Sequence, residues 1–203
     1  MYERFTREVE LGMQLRHDHI VKVLSYGRTD KGYYIVMEWI QGITLRQFMQ
    51  KKGSLSVHEA LTITQQVLSA LAYAYHQGVT AHRDLKPENI MIEAKTGRVV
   101  VLDFGIAQIQ GSQMTKHTRL FSLRYAAPEQ LSEKTTKINQ SADLYAVGAM
   151  LYEMLIGRVP YKGRSIVELY AQEMKRQFIP PHKIDPSLQK DWQTFFETAL
   201  HPN

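Results

Sequence analysis

The sequence predicts an α+β fold: a helix and a β-hairpin first, then a mainly helical remainder interrupted by a second hairpin. Three observations carry this. Phe5, Val9 and Met13 recur every four positions between Glu3 and Arg16, which makes one apolar stripe of helical period. The runs Ile20 to Tyr26 and Tyr33 to Trp39 are rich in Ile, Val and Tyr and flank Asp30-Lys31-Gly32, the pattern of two antiparallel strands and their turn. Further on, Ser56 and Ser165 each precede a glutamate by three residues, the reciprocal cap of a helix N-terminus.

The remaining elements follow in chain order. Thr44 can cap a short helix through Met49. The helix after Ser56 is long; Leu61, Leu68, Leu71, Ala72 and Tyr75 form its expected buried face, and Gly78 stands where a left-handed residue ends it. Ile90 to Glu93 and Val99 to Leu102 read as short strands joined by Ala94-Lys95-Thr96-Gly97, with Asn89 and Asp103 expected at opposite ends of the hairpin. Gln108 to Arg124 has no clear period and no acidic residue, but carries Lys116, His117, Arg119 and Arg124. An apolar helix spans Ala142 to Ile156 with Asp143 at its start, and Asp191 begins a last helix through Leu200. Prolines 180, 181 and 186 mark the loop before it.

With 203 residues the chain can bury a sizeable core, and its 44% hydrophobic and 22% charged residues are those of an ordinary globular domain. The absence of cysteine excludes disulfides and thiolate zinc sites. A net charge of +5, scattered and without a binding motif, argues against nucleic acid as a partner. No apolar run approaches the length of a membrane span, so a cytoplasmic location is expected, with an anchor outside this segment left open.

The chemistry is concentrated in His82-Arg83-Asp84-Leu85-Lys86-Pro87-Glu88-Asn89. A hydroxyl that attacks the terminal phosphate of a nucleotide needs a carboxylate to accept its proton, a cation to offset phosphate charge, and oxygen ligands for magnesium. Asp84, Lys86 and Asn89 supply those groups in that order. Fourteen positions after Asn89, Asp103-Phe104-Gly105 adds a second oxygen ligand.

These motifs, followed by Ala127-Pro128-Glu129, resemble the protein kinase family, and Lys86 two places after the aspartate resembles its serine/threonine branch. Tyr34-Ile35-Val36-Met37-Glu38 and Asp103-Phe104-Gly105-Ile106-Ala107 are most similar to bacterial kinases of the eukaryotic-like type. The resemblance implies a two-lobe fold with a partial small β lobe at 1–37 (one helix, αC, and two strands), a hinge at 38–42, and most of a mainly helical large lobe at 43–203. It implies ATP and Mg2+ as cofactors, Mn2+ as an alternative, and protein substrates as partners; oligomeric state has no signature in it.

Residue by residue, Glu8 matches the glutamate that pairs with a phosphate-binding lysine, although alone it reads as a solvated helix residue. Met37 matches the gatekeeper, Glu38 and Ile40 the hinge groups whose carbonyl and amide face adenine, and Met91 the residue under the ring. Both methionines also read as core. Asp143 matches the helix aspartate that ties down the catalytic loop, or simply caps its own helix. His82, Arg83, Phe104 and Glu129 complete the structural set. The segment from Gln108 matches the activation segment: Thr115 and Thr118 are the expected phosphate acceptors, with Ser112 behind them and Arg83 the expected counter-charge. Ser122 takes the place of a threonine that bonds near the catalytic aspartate, while Phe121 departs from the usual glycine.

No lysine precedes Glu8, and none of the twelve glycines forms G-x-G-x-x-G. The chain ends before the arginine that the family pairs with Glu129. It is therefore expected to be a piece cut at both ends, with an open sheet edge and weak or no activity alone. A non-catalytic pseudokinase that serves as an interaction module is the alternative, against which Asp84, Asn89 and Asp103 all stand.

Overall fold

The structure, a computed structural model, describes residues 2–30, 32–104, 123–131 and 138–202. Helix α1 (Tyr2–Gln14) buries Val9 against Val23 of strand β1 (Val23–Thr29), with Met13, Tyr26 and Ile35 packed around the pair. Strand β2 (Gly32–Met37) runs antiparallel to β1, with Tyr26 opposite Ile35. The expected hairpin is present, but its first strand begins at Val23 rather than Ile20. Ile20 and Val21 are drawn to the other sheet instead: Ile20 bridges Val101, and the Val21 amide donates to the Val101 carbonyl at 3.0 Å.

A strand that the sequence did not announce follows. Strand β3 (Gly42–Thr44) pairs antiparallel with β4 (Ile90–Glu93), which pairs with β5 (Val99–Val101). Three residues are too few to show alternation. Gly42 is required there by close approach, because a Cβ on it would lie 2.0 Å from the Ile92 carbonyl oxygen. Thr44 then caps α2 (Leu45–Lys52), with Gln47 completing a capping box.

Helix α3 (Val57–His76) starts at the Ser56/Glu59 box. Its buried stripe is Ala60, Ile63, Val67, Ala70, Leu71 and Ala74. This corrects the expected face: Leu61 and Leu68 are 37% and 36% exposed, Ala72 is exposed, and Tyr75 is half-buried. Small side chains on the true stripe let another helix approach closely, and apolarity alone did not distinguish the two sides. That neighbour is α5 (Gln140–Ile156), buried almost all round and capped by Asn139. A short turn of helix, α4 (Pro128–Leu131), precedes it; α6 (Ile166–Met174) and α7 (Asp191–Ala199) follow. Phe196 of α7 packs edge-on against Tyr152 of α5.

The β4–β5 ladder also corrects the expectation for Asn89 and Asp103. Ile90 lies opposite Val101, and the Leu102 amide donates to the Asn89 carbonyl at 2.9 Å. The two residues therefore emerge side by side at the same end, as antiparallel pairing requires of residues flanking a hairpin.

Candidate active site

The loop between α3 and β4 folds back on itself around Asp84. The Lys86 ammonium donates to both carboxylate oxygens of Asp84, at 2.9 and 2.7 Å. The Asn89 side-chain amide donates to the Asp84 backbone carbonyl at 2.8 Å and to its carboxylate at 3.0 Å. Both acceptors demand the nitrogen of Asn89, so its amide oxygen is left as the remaining acceptor. Pro87–Asn89 form one 3-10 turn, closed by the Asn89 amide donating to the Lys86 carbonyl. Three side chains two or three positions apart thus converge because the turn brings Asn89 back over Asp84.

The loop hangs from the centre of the molecule. Asp143, 1% exposed, accepts from the His82 amide at 2.6 Å, the Arg83 amide at 2.8 Å and the Tyr75 hydroxyl at 2.8 Å. The capping position of α5 is filled by Asn139, whose side chain accepts from the Ser141 amide. Burial and the Asp143 charge hold the Tyr75 phenol well above its usual range. His82 bonds the Leu102 carbonyl through Nε2 at 2.7 Å; a carbonyl only accepts, so Nε2 carries the proton and Nδ1 faces the Asp84 amide at 3.4 Å. The ring meets Phe104 edge-on at 4.9 Å, joining the two loops.

Arg83 and Asp103 both have left-handed backbone, φ 71° and 58°. Each costs about 1–3 kcal/mol for a residue with a Cβ, and such strain persists only where the surroundings enforce it. Burial lifts the Asp103 carboxyl above its ordinary range; His82 opposes the shift, Asp84 adds to it and Lys86 opposes it. Among the described residues no three His, Cys, Asp or Glu side chains gather about one point. The donor set is instead one carboxylate and one amide oxygen, Asp103 and Asn89. Such hard oxygens suit magnesium only when phosphate and water complete the shell.

Met37, Ile40 and Met91 join Val21, Val100 and Leu102 in one apolar cluster beside this loop. Glu38 is fixed by a double contact with Lys22: its amide donates to the Lys22 carbonyl and its carboxylate accepts from the Lys22 amide, each at 2.9 Å. Trp39 between them is 89% exposed, whereas Ile40 turns inward. Glu129 is half-buried on α4. The side chain of Glu8, and Ser112, Thr115, Thr118 and Ser122 entirely, lie outside the described residues.

Sequence reasoning missed one group altogether. Arg46 at the start of α2 forms ion pairs with Glu88 at 2.8 Å and Glu153 at 2.9 Å, and also donates to the Tyr125 hydroxyl. Tyr125 in turn donates to Glu153 at 2.5 Å. Burial works against the charge on Arg46, but Glu153, Tyr125 and Glu88 outweigh it and hold the guanidinium firmly protonated. Its members lie 42, 79 and 107 residues from Arg46, and no local pattern signals such pairing.

With this fold and loop in view, the class follows. The protein kinase domain model matches residues 1–203, and the chain belongs to the protein kinase family. It is 38% identical over 187 residues to the serine/threonine-protein kinase PrkC of Bacillus subtilis, a match covering 91% of this chain and 28% of that protein. It is 33% identical over 210 residues to the serine/threonine-protein kinase PknB of Mycobacterium tuberculosis, covering 100% of this chain and 33% of PknB. Among solved structures it resembles the crystal structure of Rad53 1-466 in complex with AMP-PNP, with a TM-score of 0.79 and 28% identity over 99% of this chain and 50% of that one. The chain thus spans about a third or less of the curated relatives it matches.

Proposed function

We propose that this chain is part of the catalytic domain of an ATP-dependent protein serine/threonine kinase, divided at a hinge at 38–42. The observation that carries the reading is the convergence of Lys86 and Asn89 on Asp84, beside Asp103 on the adjoining strand end. In it, Asp84 orients the substrate hydroxyl and accepts its proton, and Lys86 turns from Asp84 to share the phosphate charge. Asn89 and Asp103 hold magnesium or manganese, which supplies neutralisation of phosphate oxygens. The Glu38 carbonyl and Ile40 amide meet the adenine edge, with Met37 behind the ring and Met91 beneath it. Glu8 serves the phosphate-binding lysine, and Ser122 bonds near Asp84.

Thr115 and Thr118 are the phosphate acceptors in this reading, and Arg83 is the charge that answers them. Protein substrates are the partners. No described helix is long and apolar enough to cross a membrane; in this reading the domain works in the cytoplasm, where ATP is supplied.

The test is transfer of labelled phosphate from ATP and magnesium to a generic protein by the full-length protein and its Asp84→Asn variant. Transfer by the first, with a loss of at least about a hundredfold in the second and nucleotide binding retained, is expected. Equal transfer by both would refute the role given to Asp84.

A further inference from the structure

Arg83, immediately before Asp84, is held in a left-handed conformation that its Cβ disfavours. Its peptide is gripped from two sides. On the amide side Asp143 accepts its N–H; on the carbonyl side the Gln130 amide nitrogen donates to its oxygen at 2.9 Å. Gln130 belongs to a different part of the chain, the four-residue turn of helix α4. Pro128 opens that turn and Gln130 is its third residue, so the side chain can reach back: its Oε1 accepts from the Ala127 amide at 2.9 Å, while its own backbone amide donates to the Ala127 carbonyl at 2.8 Å. An amide N–H on one side and a carbonyl on the other fix which end of the Gln130 amide is which.

A cavity of about 110 Å³ lies beneath the loop, lined among the described residues by Asp84, Leu85, Tyr125, Gln130 and Asp143. Among the described residues, Gln130 provides the hydrogen bond to the Arg83 carbonyl on that side of the loop. The signal was legible in Ala127-Pro128-Glu129-Gln130 as a proline at the first helical position and glutamine at the third.

We propose that Gln130 is a positioning residue for the phosphotransfer proposed above, on which reading its kinetic role rests. It keeps the Arg83 peptide left-handed, thereby sets the direction of the Asp84 carboxylate, and couples that setting to the Ala127–Glu129 segment.

Two variants of the full-length protein separate this role from capping of α4. Gln130→Leu removes both side-chain contacts. Gln130→Glu keeps an acceptor for the Ala127 amide but, ionised, has no donor for the Arg83 carbonyl. With a generic protein substrate, kcat is expected to fall about tenfold in both variants while the KM for ATP stays within about twofold. Wild-type kcat in Gln130→Glu would overturn the proposal in favour of capping alone. Amide hydrogen exchange of the segment containing Arg83 and Asp84 reads the same clamp without catalysis: about tenfold faster exchange in both variants, with α3 and α5 unchanged, is expected. Unchanged exchange overturns the clamp whether or not phosphate is transferred. Absence of transfer in the unsubstituted protein would count against the kinase reading, and the exchange result would still decide the clamp.

Discussion

Glu173 on α6 is 0% exposed, and neither of its carboxylate oxygens finds a hydrogen-bond donor of acceptable geometry among the described residues. Burial pushes its pKa up to about 8; the Tyr145 hydroxyl eases the charge in part and Glu129 adds to the penalty. Tyr161 also faces it. An unfolded glutamate titrates near 4.5, so between that pH and about 8 the folded chain keeps a proton that the unfolded chain has released. Stability is therefore intact below about pH 4.5 and falls as pH rises, by about 1.4 kcal/mol per pH unit, until it levels off near 8. The loss amounts to about 3 kcal/mol at pH 7. Glu173→Gln cannot release a proton, so it should match the 203-residue chain at pH 4.5–5 and exceed its stability by about 3 kcal/mol at pH 7. Urea unfolding of both chains at pH 5, 6, 7 and 8 measures the difference. Parallel curves, separated by the same amount at every pH, would refute the reasoning, and a deficit growing with pH would show Glu173 to be ionised and paired.

Two other side chains carry measurable weight. Asp143→Ala strips the acceptor from two backbone amides and a tyrosine hydroxyl, so unfolding in urea should show a loss of at least about 3 kcal/mol, and kcat should fall more than about a hundredfold; a loss under about 1 kcal/mol would mean the loop does not depend on this anchor. Glu153→Ala leaves the mostly buried Arg46 with the more exposed Glu88 as its remaining ion-pair partner among the described residues, at an expected cost of about 2–3 kcal/mol, most of which Arg46→Met together with Glu153→Leu should restore. A double variant as unstable as the single one would rule out an uncompensated charge as the cause.

What the sequence made legible was local. The Ser56/Glu59 box and the Thr44 cap lie within one helical turn, where a few positions suffice to declare the geometry. The gathering of Asp84, Lys86 and Asn89 is local too, since the short Pro87–Asn89 turn folds Asn89 back onto Asp84. Properties set by a distant partner were not. Leu61 and Leu68 look like core residues, yet the α3 surface that matters is the one narrow enough for α5. The need for glycine at position 42 is set by the Ile92 carbonyl on the neighbouring strand, which leaves no room for a side chain. Arg46 and Glu153 look like two separate surface charges until α2 and α5 are brought together.

The β4–β5 hairpin has a consequence for how such a domain can vary. Its closed end, residues 94–97, is exposed and far along the ladder from Asn89 and Asp103. The spacing of those two residues is set by paired backbone, with the Asn89 carbonyl and Leu102 amide as its last rung. Residues added at the turn would lengthen a solvent-facing loop at little cost and leave that rung unaltered. The turn is thus a natural site for diversification or for a reporter tag, because the ladder isolates the chemistry at one end from changes in length at the other.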